Sequence, residues 1–298
     1  MPVAGDAVQP VNGLDALLCA LEAGQHVHGL TDPSAGPGDA ARGSDQRSAR
    51  IANRFVDVPA TQQLRIQRLP DDPVAVRRAV SEALADLPVS PVMPRAVCGW
   101  LVASVRPEAI AGYLGRQLAQ RTSDGRHALL RFHDPRILAR LVDILTPRQL
   151  SILLGPVDGW YFPDHTGRVI RISPHEPLRS LGRLTLSESQ WGAIRRIARL
   201  NRCIEFLEQD AERQKLENEP AVIDRLIEQA AGFGLSGGRE IIEFVAHGVR
   251  VHPEFHRHPR MRSLLNECGG KRSYSVLVKR LGAADWQAIR EDMEVEAT

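Results

Sequence analysis

Polar and apolar residues alternate from Gln63 to Leu69, the two-residue period of a half-buried strand. Asp72-Pro73 follows as an N-cap and a first-turn proline, predicting a helix to about Leu87. A proline-rich break (Pro88, Pro91, Pro94) leads into the apolar run Val97 to Ala103, read as a buried strand. Ser104 or Arg106-Pro107 opens a second helix to about Gln120, and Asp124-Gly125 makes a turn. His127 to Phe132 is a further strand. Asp134-Pro135 caps a third helix to about Leu145, and Thr146-Pro147 a short fourth that Gly155-Pro156 ends. Trp160 to Phe162 and Val169 to Ile172 flank Asp164-His165-Thr166-Gly167 as the arms of a hairpin. Repeated strand–helix–strand units predict an α/β lobe over residues 1–180 with a mixed, partly parallel sheet. Within it Thr31 to Ser48, rich in Gly, Ser, Asp and Pro, reads as a flexible loop or linker.

The period changes after Leu184. Ser187 and Gln190 form a capping box, and Trp191, Ile194, Ile197, Leu200, Ile204, Leu207 and Ala211 keep a spacing of three and four. That is one long amphipathic helix. Pro220 starts another, through Ile223, Leu226 and Ile227, and the Gly232–Gly238 loop separates it from Glu240–Val249. Shorter helical stretches follow, so residues 181–298 are expected to form an all-helical lobe.

Composition removes the unusual classes. At 298 residues, 43% hydrophobic and 25% charged, the chain is neither a disordered tail, a collagen repeat nor a disulfide scaffold. The net charge of +2 leaves no excess that would dictate a polyanionic partner. Charge is uneven, at −4 over residues 1–48, +6 over 49–180 and zero over 181–298. Three of the 38 basic residues are Lys, a bias that fits GC-rich coding. Cys19, Cys98, Cys203 and Cys268 are far apart and read as reduced thiols. No run reaches the ~18 apolar residues of a membrane span, and the start shows no secretory leader, so a cytoplasmic protein is expected.

Candidate chemistry is thin. Gly234-Leu235-Ser236-Gly237-Gly238 satisfies the GxSxG pattern, but a helix precedes it where a nucleophile elbow needs a strand. A helix end at Gly232 or Gly234, with Ser236 as the next N-cap, explains it better. His247, His252, His256 and His258 crowd together, yet Pro253 and Pro259 break any helical ligand register, and exposed loop histidines are expected. His26-Val27-His28 lacks the remainder of a metal site. The Arg195-Arg196 and Arg199 cluster reads as a solvated helix face. With 5% aromatics, base-stacking platforms are not expected. The residues therefore predict no catalytic group, no metal and no cofactor.

One segment says more. Ala128-Leu129-Leu130-Arg131-Phe132-His133-Asp134-Pro135-Arg136-Ile137-Leu138 closely resembles the "LLRFYDPRVL" signature of the type VI secretion adaptor family, the effector-loading chaperones. The family's "WL.S" strand and "DG" turn are matched by Trp100 to Ser104 and Asp124-Gly125, in order. Leu153-Leu154-Gly155-Pro156 with Trp160 is similar to its "LLGP…W", and Leu186 to Trp191 to its "LTEAQW" helix start. His252 to Pro259 looks like its "G..F...P" element. The resemblance is clear over residues 96–210 and weaker to the end. The family's opening strand falls on either Val27–Asp32 or Phe55–Asp57.

The resemblance implies a cytoplasmic, non-enzymatic adaptor. Its partners would be the N-terminal region of a toxic effector and the C-terminal region of the VgrG spike, without nucleic acid. The signature positions are Arg131, Phe132, Asp134, Pro135, Arg136, Gly155, Pro156, Trp160 and Trp191, architectural first and partner-binding second. Asp134 is placed to cap the helix that Pro135 opens, with Arg131 and Arg136 flanking it as ion-pair partners. Trp100 and Trp160 read as core anchors. The alternative is a nucleic-acid or nucleotide-binding module using the basic middle of the chain. A third reading is a hydrolase built on Ser236 or a histidine-bound metal.

Overall fold

A computed structural model describes residues 8–10, 13–35, 47–52, 57–87, 94–122, 124–164, 167–175, 182–209, 219–268 and 272–296. Most of the expected loop between Thr31 and Ser48, the prolines Pro88 and Pro91, the hairpin tip His165-Thr166 and the alternative opening strand at Phe55 lie outside the described residues. The chain divides into two compact units, residues 1–194 and 195–298, with the division inside one long helix.

In the first unit the elements run β1 (Val8–Pro10), α1 (Gly13–Glu22), β2 (His26–Thr31), β3 (Ser48–Arg50), β4 (Arg65–Arg68), α2 (Pro73–Ala85) and β5 (Val97–Ala103). They continue with α3 (Pro107–Leu118), β6 (Ala119–Arg121), β7 (His127–Leu129), α4 (Pro135–Ile144), α5 (Pro147–Leu154), β8 (Gly159–Pro163) and β9 (Val169–Ile172). Seven strands form one sheet in the order β1-β9-β8-β5-β2-β4-β3, and β6 pairs with β7 in a separate ribbon.

The α/β character holds, but the expectation of a partly parallel sheet does not. Every described strand pair is antiparallel. The reason is a non-local insertion. β4, α2 and β5 follow one another as a βαβ unit would, but β2 lies between the two strands and pairs antiparallel with both. Local periodicity carries no information about which distant strand fills that gap. The expected strand from His127 to Phe132 is also shorter, ending at Leu129, and α3 ends two residues early so that its tail can pair in the ribbon.

β5 is apolar on both faces because both are covered. Leu101 and Ala103 point into a core with Leu30, Ile66, Trp160 and Phe162, closed by Ile110 and Leu114 of α3, Leu138 and Leu141 of α4, and Leu150 and Leu153 of α5. Trp100 and Val102 point the other way, against Val27, Tyr161, Leu17 and Leu18 of α1, and Val76 and Val80 of α2. The predicted helix starts hold. Asp72 accepts from the N–H groups of Val74 and Ala75, and Thr146 and Gln149 form a reciprocal capping box.

The long helix α6 (Glu188–Glu208) opens on the expected Ser187–Gln190 exchange. Its continuation and α7 (Glu219–Gly232), α8 (Gly238–Arg250), α9 (Pro259–Glu267), α10 (Tyr274–Leu277) and α11 (Ala283–Glu296) make the second unit. Its core joins Leu200, Cys203 and Leu207 of α6 to Ile223, Leu226, Phe244, Phe255, Tyr274 and Ile289. No strand is found among its described residues.

Candidate functional site

The signature segment forms the loop after β7 and the first turn of α4. Asp134 accepts the backbone N–H of Arg136 (3.0 Å) and takes the same residue's guanidinium through Nε (2.9 Å) and Nη2 (2.6 Å). One carboxylate thus serves as helix cap and ion-pair partner. Burial pushes the Asp134 carboxyl up, but the Arg136 hydrogen bonds and charge outweigh it and hold the group below the usual range. Pro135 is buried at the first helical position. Phe132 is buried and meets the Trp160 ring edge-on at 6.0 Å. Trp160 in turn donates from Nε1 to the Cys98 carbonyl (3.4 Å).

Arg131 does not pair with Asp134 as its flanking position suggests. Its guanidinium lies 3.8 Å from Asp32, at the end of β2, and the His133 Nε2 lies 3.5 Å from the same carboxylate. Asp32 also accepts from the Ser34 N–H (3.0 Å) and hydroxyl (2.5 Å). Burial raises the Asp32 carboxyl, yet the bonds from His133 and Ser34 dominate and hold it at about 2. A second buried partner is Arg95, whose Nη1 donates to the carbonyls of Pro163 (2.9 Å) and Asp164 (2.8 Å) at the end of β8. Burial lowers its guanidinium pKa, while the charges of Asp164 and Asp134 push the other way.

The signature is thus a buried polar lock between the ends of β2, β8 and α4. Asp32, Arg95 and Asp164 were not singled out from sequence. The local sign of one of them is Asp32-Pro33-Ser34, an Asp with a hydroxyl two residues on, as in an Asx turn. His133 stands where the signature has Tyr, and the exchange supplies the ring nitrogen that meets Asp32.

Other elements place the remaining positions. Gly155 ends α5 at φ +60, and a Cβ there would lie 2.0 Å from the Tyr113 ring. The Tyr113 hydroxyl donates to the carbonyls of Ile152 (2.5 Å) and Gly182 (3.2 Å), pinning the start of the 182–187 segment. Pro156 beside it is half-buried. Trp191 is buried in the first turn of α6. Of the signature side chains, only Arg131 is open to solvent, at 47%, with Leu129 of β7 at 39% two residues before it.

Of the expected exposed loop histidines, His256 and His258 are instead buried, and His252 is half-buried with its Nδ1 accepting the Glu254 N–H. His256 and His258 are each 7% exposed. His258 Nδ1 accepts the Arg260 N–H as the N-cap of α9, and its Nε2 lies 3.1 Å from Asp292. His247 is hydrogen-bonded to the Tyr274 hydroxyl (2.8 Å), stacked on Trp286 at 4.4 Å, and lowered by burial to about 4. His258 thus caps through its Nδ1, while the His256 ring packs among Phe233, Phe244 and Phe255. Likewise His28 is fully buried in β2 and lowered by burial to about 4.

Among the described residues no reactive constellation emerges. Ser236 follows helix α7, whose Gly234 at φ +80 completes a terminal turn with Leu235 N–H on the Ala230 carbonyl. The cap of α8 is Gly237, one residue past the expected Ser236, and no side chain closes it. Among the described residues no group of three or more His, Cys, Asp or Glu could hold a metal. Cys98 beside the lock is a buried thiol pushed well up by desolvation. The Arg cluster on α6 is partly engaged, with Arg196 lying 3.7 Å from Asp224 and 3.2 Å from Glu228. Among the described residues no helix is long and apolar enough to cross a membrane.

A protein-family model, "Domain of unknown function (DUF4123)", matches residues 74–151, from α2 into α5, with the segment Ala128 to Leu138 inside and Gly155, Pro156, Trp160 and Trp191 beyond it. Neither a curated protein nor a solved structure matches the chain.

Proposed function

We propose that the chain is a cytoplasmic, non-enzymatic adaptor. It binds the N-terminal region of a type VI secretion effector and loads it onto the C-terminal region of the VgrG spike. The observation that carries this reading is the matched segment 74–151, a domain known in effector-loading adaptors of that system. The geometry is compatible with it, since the signature is built as a framework and offers Arg131 and Leu129 to a partner.

The mechanism is stabilisation by binding. An effector segment with apolar surface is covered by the adaptor, which shifts it away from aggregation by mass action. The spike then takes the effector because several contacts engage together and raise its effective concentration. The helical unit would hold the cargo and the α/β unit would supply the common docking face. The adaptor leaves before the apparatus fires and needs no cofactor.

The test is co-expression with the effector and spike proteins encoded beside this chain. The reading expects the effector to co-purify with the adaptor and to pass to the spike when spike is added. An effector that neither binds nor gains solubility from the adaptor overturns it.

A further inference from the structure

The buried side of α6 is settled by Leu200, Cys203 and Leu207, which enter the helical core. On its other side Arg195, Arg199, Arg202 and Phe206 follow at steps of four, three and four, and all four are exposed. That spacing puts them in one stripe, about 16 Å long at the helical rise. Like charges at these spacings repel one another by a few tenths of a kcal/mol, so the stripe costs stability unless something answers it. Arg196, on the flank, is answered by Asp224 and Glu228 of α7. Arg195 is engaged as well, whereas Arg199 and Arg202 have no ion pair among the described residues. Phe206 closes the stripe with a ring that is 42% exposed.

We propose that this stripe of α6 is the docking surface for an acidic helical segment of a protein partner, its carboxylates on the guanidinium groups of Arg199 and Arg202 and an apolar side chain against Phe206. Taking that partner to be the effector rests on the function proposed above. The chemistry favours protein over nucleic acid. Residues 195–298 carry 17 basic and 17 acidic residues, so no broad positive field backs the stripe. Glu205 and Glu208 flank the ring and would repel a phosphate backbone that continued along the helix. Carboxylates suit guanidinium forks, which accept them two bonds at a time. A single exposed ring suits one apolar side chain better than a run of stacked bases.

The test uses the full chain and fluorescence anisotropy with three probes. They are an amphipathic helical peptide with Glu at spacings of three and four and Leu at one end, the same peptide with Lys for Glu, and an oligothymidylate. The Glu peptide should bind, more weakly as salt is raised, and Arg199→Glu with Arg202→Glu should weaken it by about tenfold or more. Phe206→Ser should weaken it less and leave the salt dependence in place. Arg199→Ala with Arg202→Ala is the milder check, and thermal melts of each variant confirm an intact fold. No binding of the Glu peptide, equal binding of the Lys peptide, or undiminished binding to the double variant overturns the proposal. Capture of the oligothymidylate instead makes the stripe a nucleic-acid surface and also overturns it. The outcome separates from that of the proposed function. A chain that binds the Glu peptide through the two arginines but captures no effector keeps this surface and loses the adaptor reading. One that captures effector equally well as wild type and double variant loses this surface alone.

Discussion

The two units share buried imidazoles, His28 in one and His247 in the other, but differ in the charges they keep inside. The α/β unit keeps charges inside: Asp32 meets His133, Asp134 takes the partly buried Arg136 beside it, and Arg95 donates to the backbone carbonyls at the end of β8. The helical unit relies on imidazole rings, with His247 on Tyr274 and Trp286, held neutral by burial, and His258 as a cap. A buried charge network is strict about geometry, since removing one member strands the others. A buried neutral imidazole strands no charge, so losing one of its bonds costs less. The α/β unit is therefore built for a fixed frame and the helical unit for adaptable packing.

The largest expected effect tests that contrast directly. Asp134→Ala removes a cap and leaves the partly buried Arg136 without its carboxylate, and should cost about 3 kcal/mol. His258→Ala removes a cap in the helical unit and should cost about 1 kcal/mol. Urea midpoints measure both, and equal losses would erase the distinction. Glycines offer a second pair. Gly155→Ala drives a methyl into the Tyr113 ring and should cost about 2 kcal/mol. Gly234→Ala meets nothing within 4 Å, so only its positive φ is strained and about 1 kcal/mol should be lost.

Acid separates the units next. His28 and His247 are held neutral by burial, so their stabilisation is complete above the ordinary imidazole value of 6.5 and is lost as pH falls toward about 4. Each unit should weaken by about 2 kcal/mol between pH 7 and 5, seen as faster amide exchange, and His247→Gln should flatten the helical unit's part. Only the α/β unit should then show a second loss. Asp32 is favoured as the carboxylate, so its contribution is complete above the ordinary 3.8 and disappears as pH falls toward about 2. A helical unit with the same second step would contradict the reading.

The smallest effects concern the surface. Arg131→Glu should change stability by under about 0.5 kcal/mol, because its pair is half-exposed, while lowering capture of effector or spike. A thiol reagent should modify Cys19 quickly and leave Cys98, Cys203 and Cys268 intact until unfolding, since only Cys19 is exposed. Early reaction of Cys203, pushed up to about 12 by burial, would show that the helical core opens more readily than its packing indicates.

What could be read from sequence was local. Asp72-Pro73, Asp134-Pro135, Thr146-Pro147 and Ser187 with Gln190 each announce a helix start, because a cap and the backbone N–H that donates to it lie within three residues. The buried strand at Val97 to Ala103 was legible for the same reason. The antiparallel sheet was not, since β2 reaches β5 across some seventy intervening positions and leaves no mark in either strand's period. Asp32 meets His133 across a larger gap, so half of the polar lock stayed hidden while its signature half was plain. The histidines misled through proline, which marks a loop without saying whether that loop is buried.

The position of β2 between β4 and β5 governs how the protein can be cut. Residues 74–151 contain β5 as their one strand of the large sheet, while both of its neighbours, β2 and β8, lie outside. Excised at those limits, the segment would present two bare edges of an apolar strand, a template for aggregation. The stretch that sequence comparison picks out is thus a slice through a larger folding unit. Closing that unit requires residues from near its start and its end to meet early, which makes for a high contact order and slow folding.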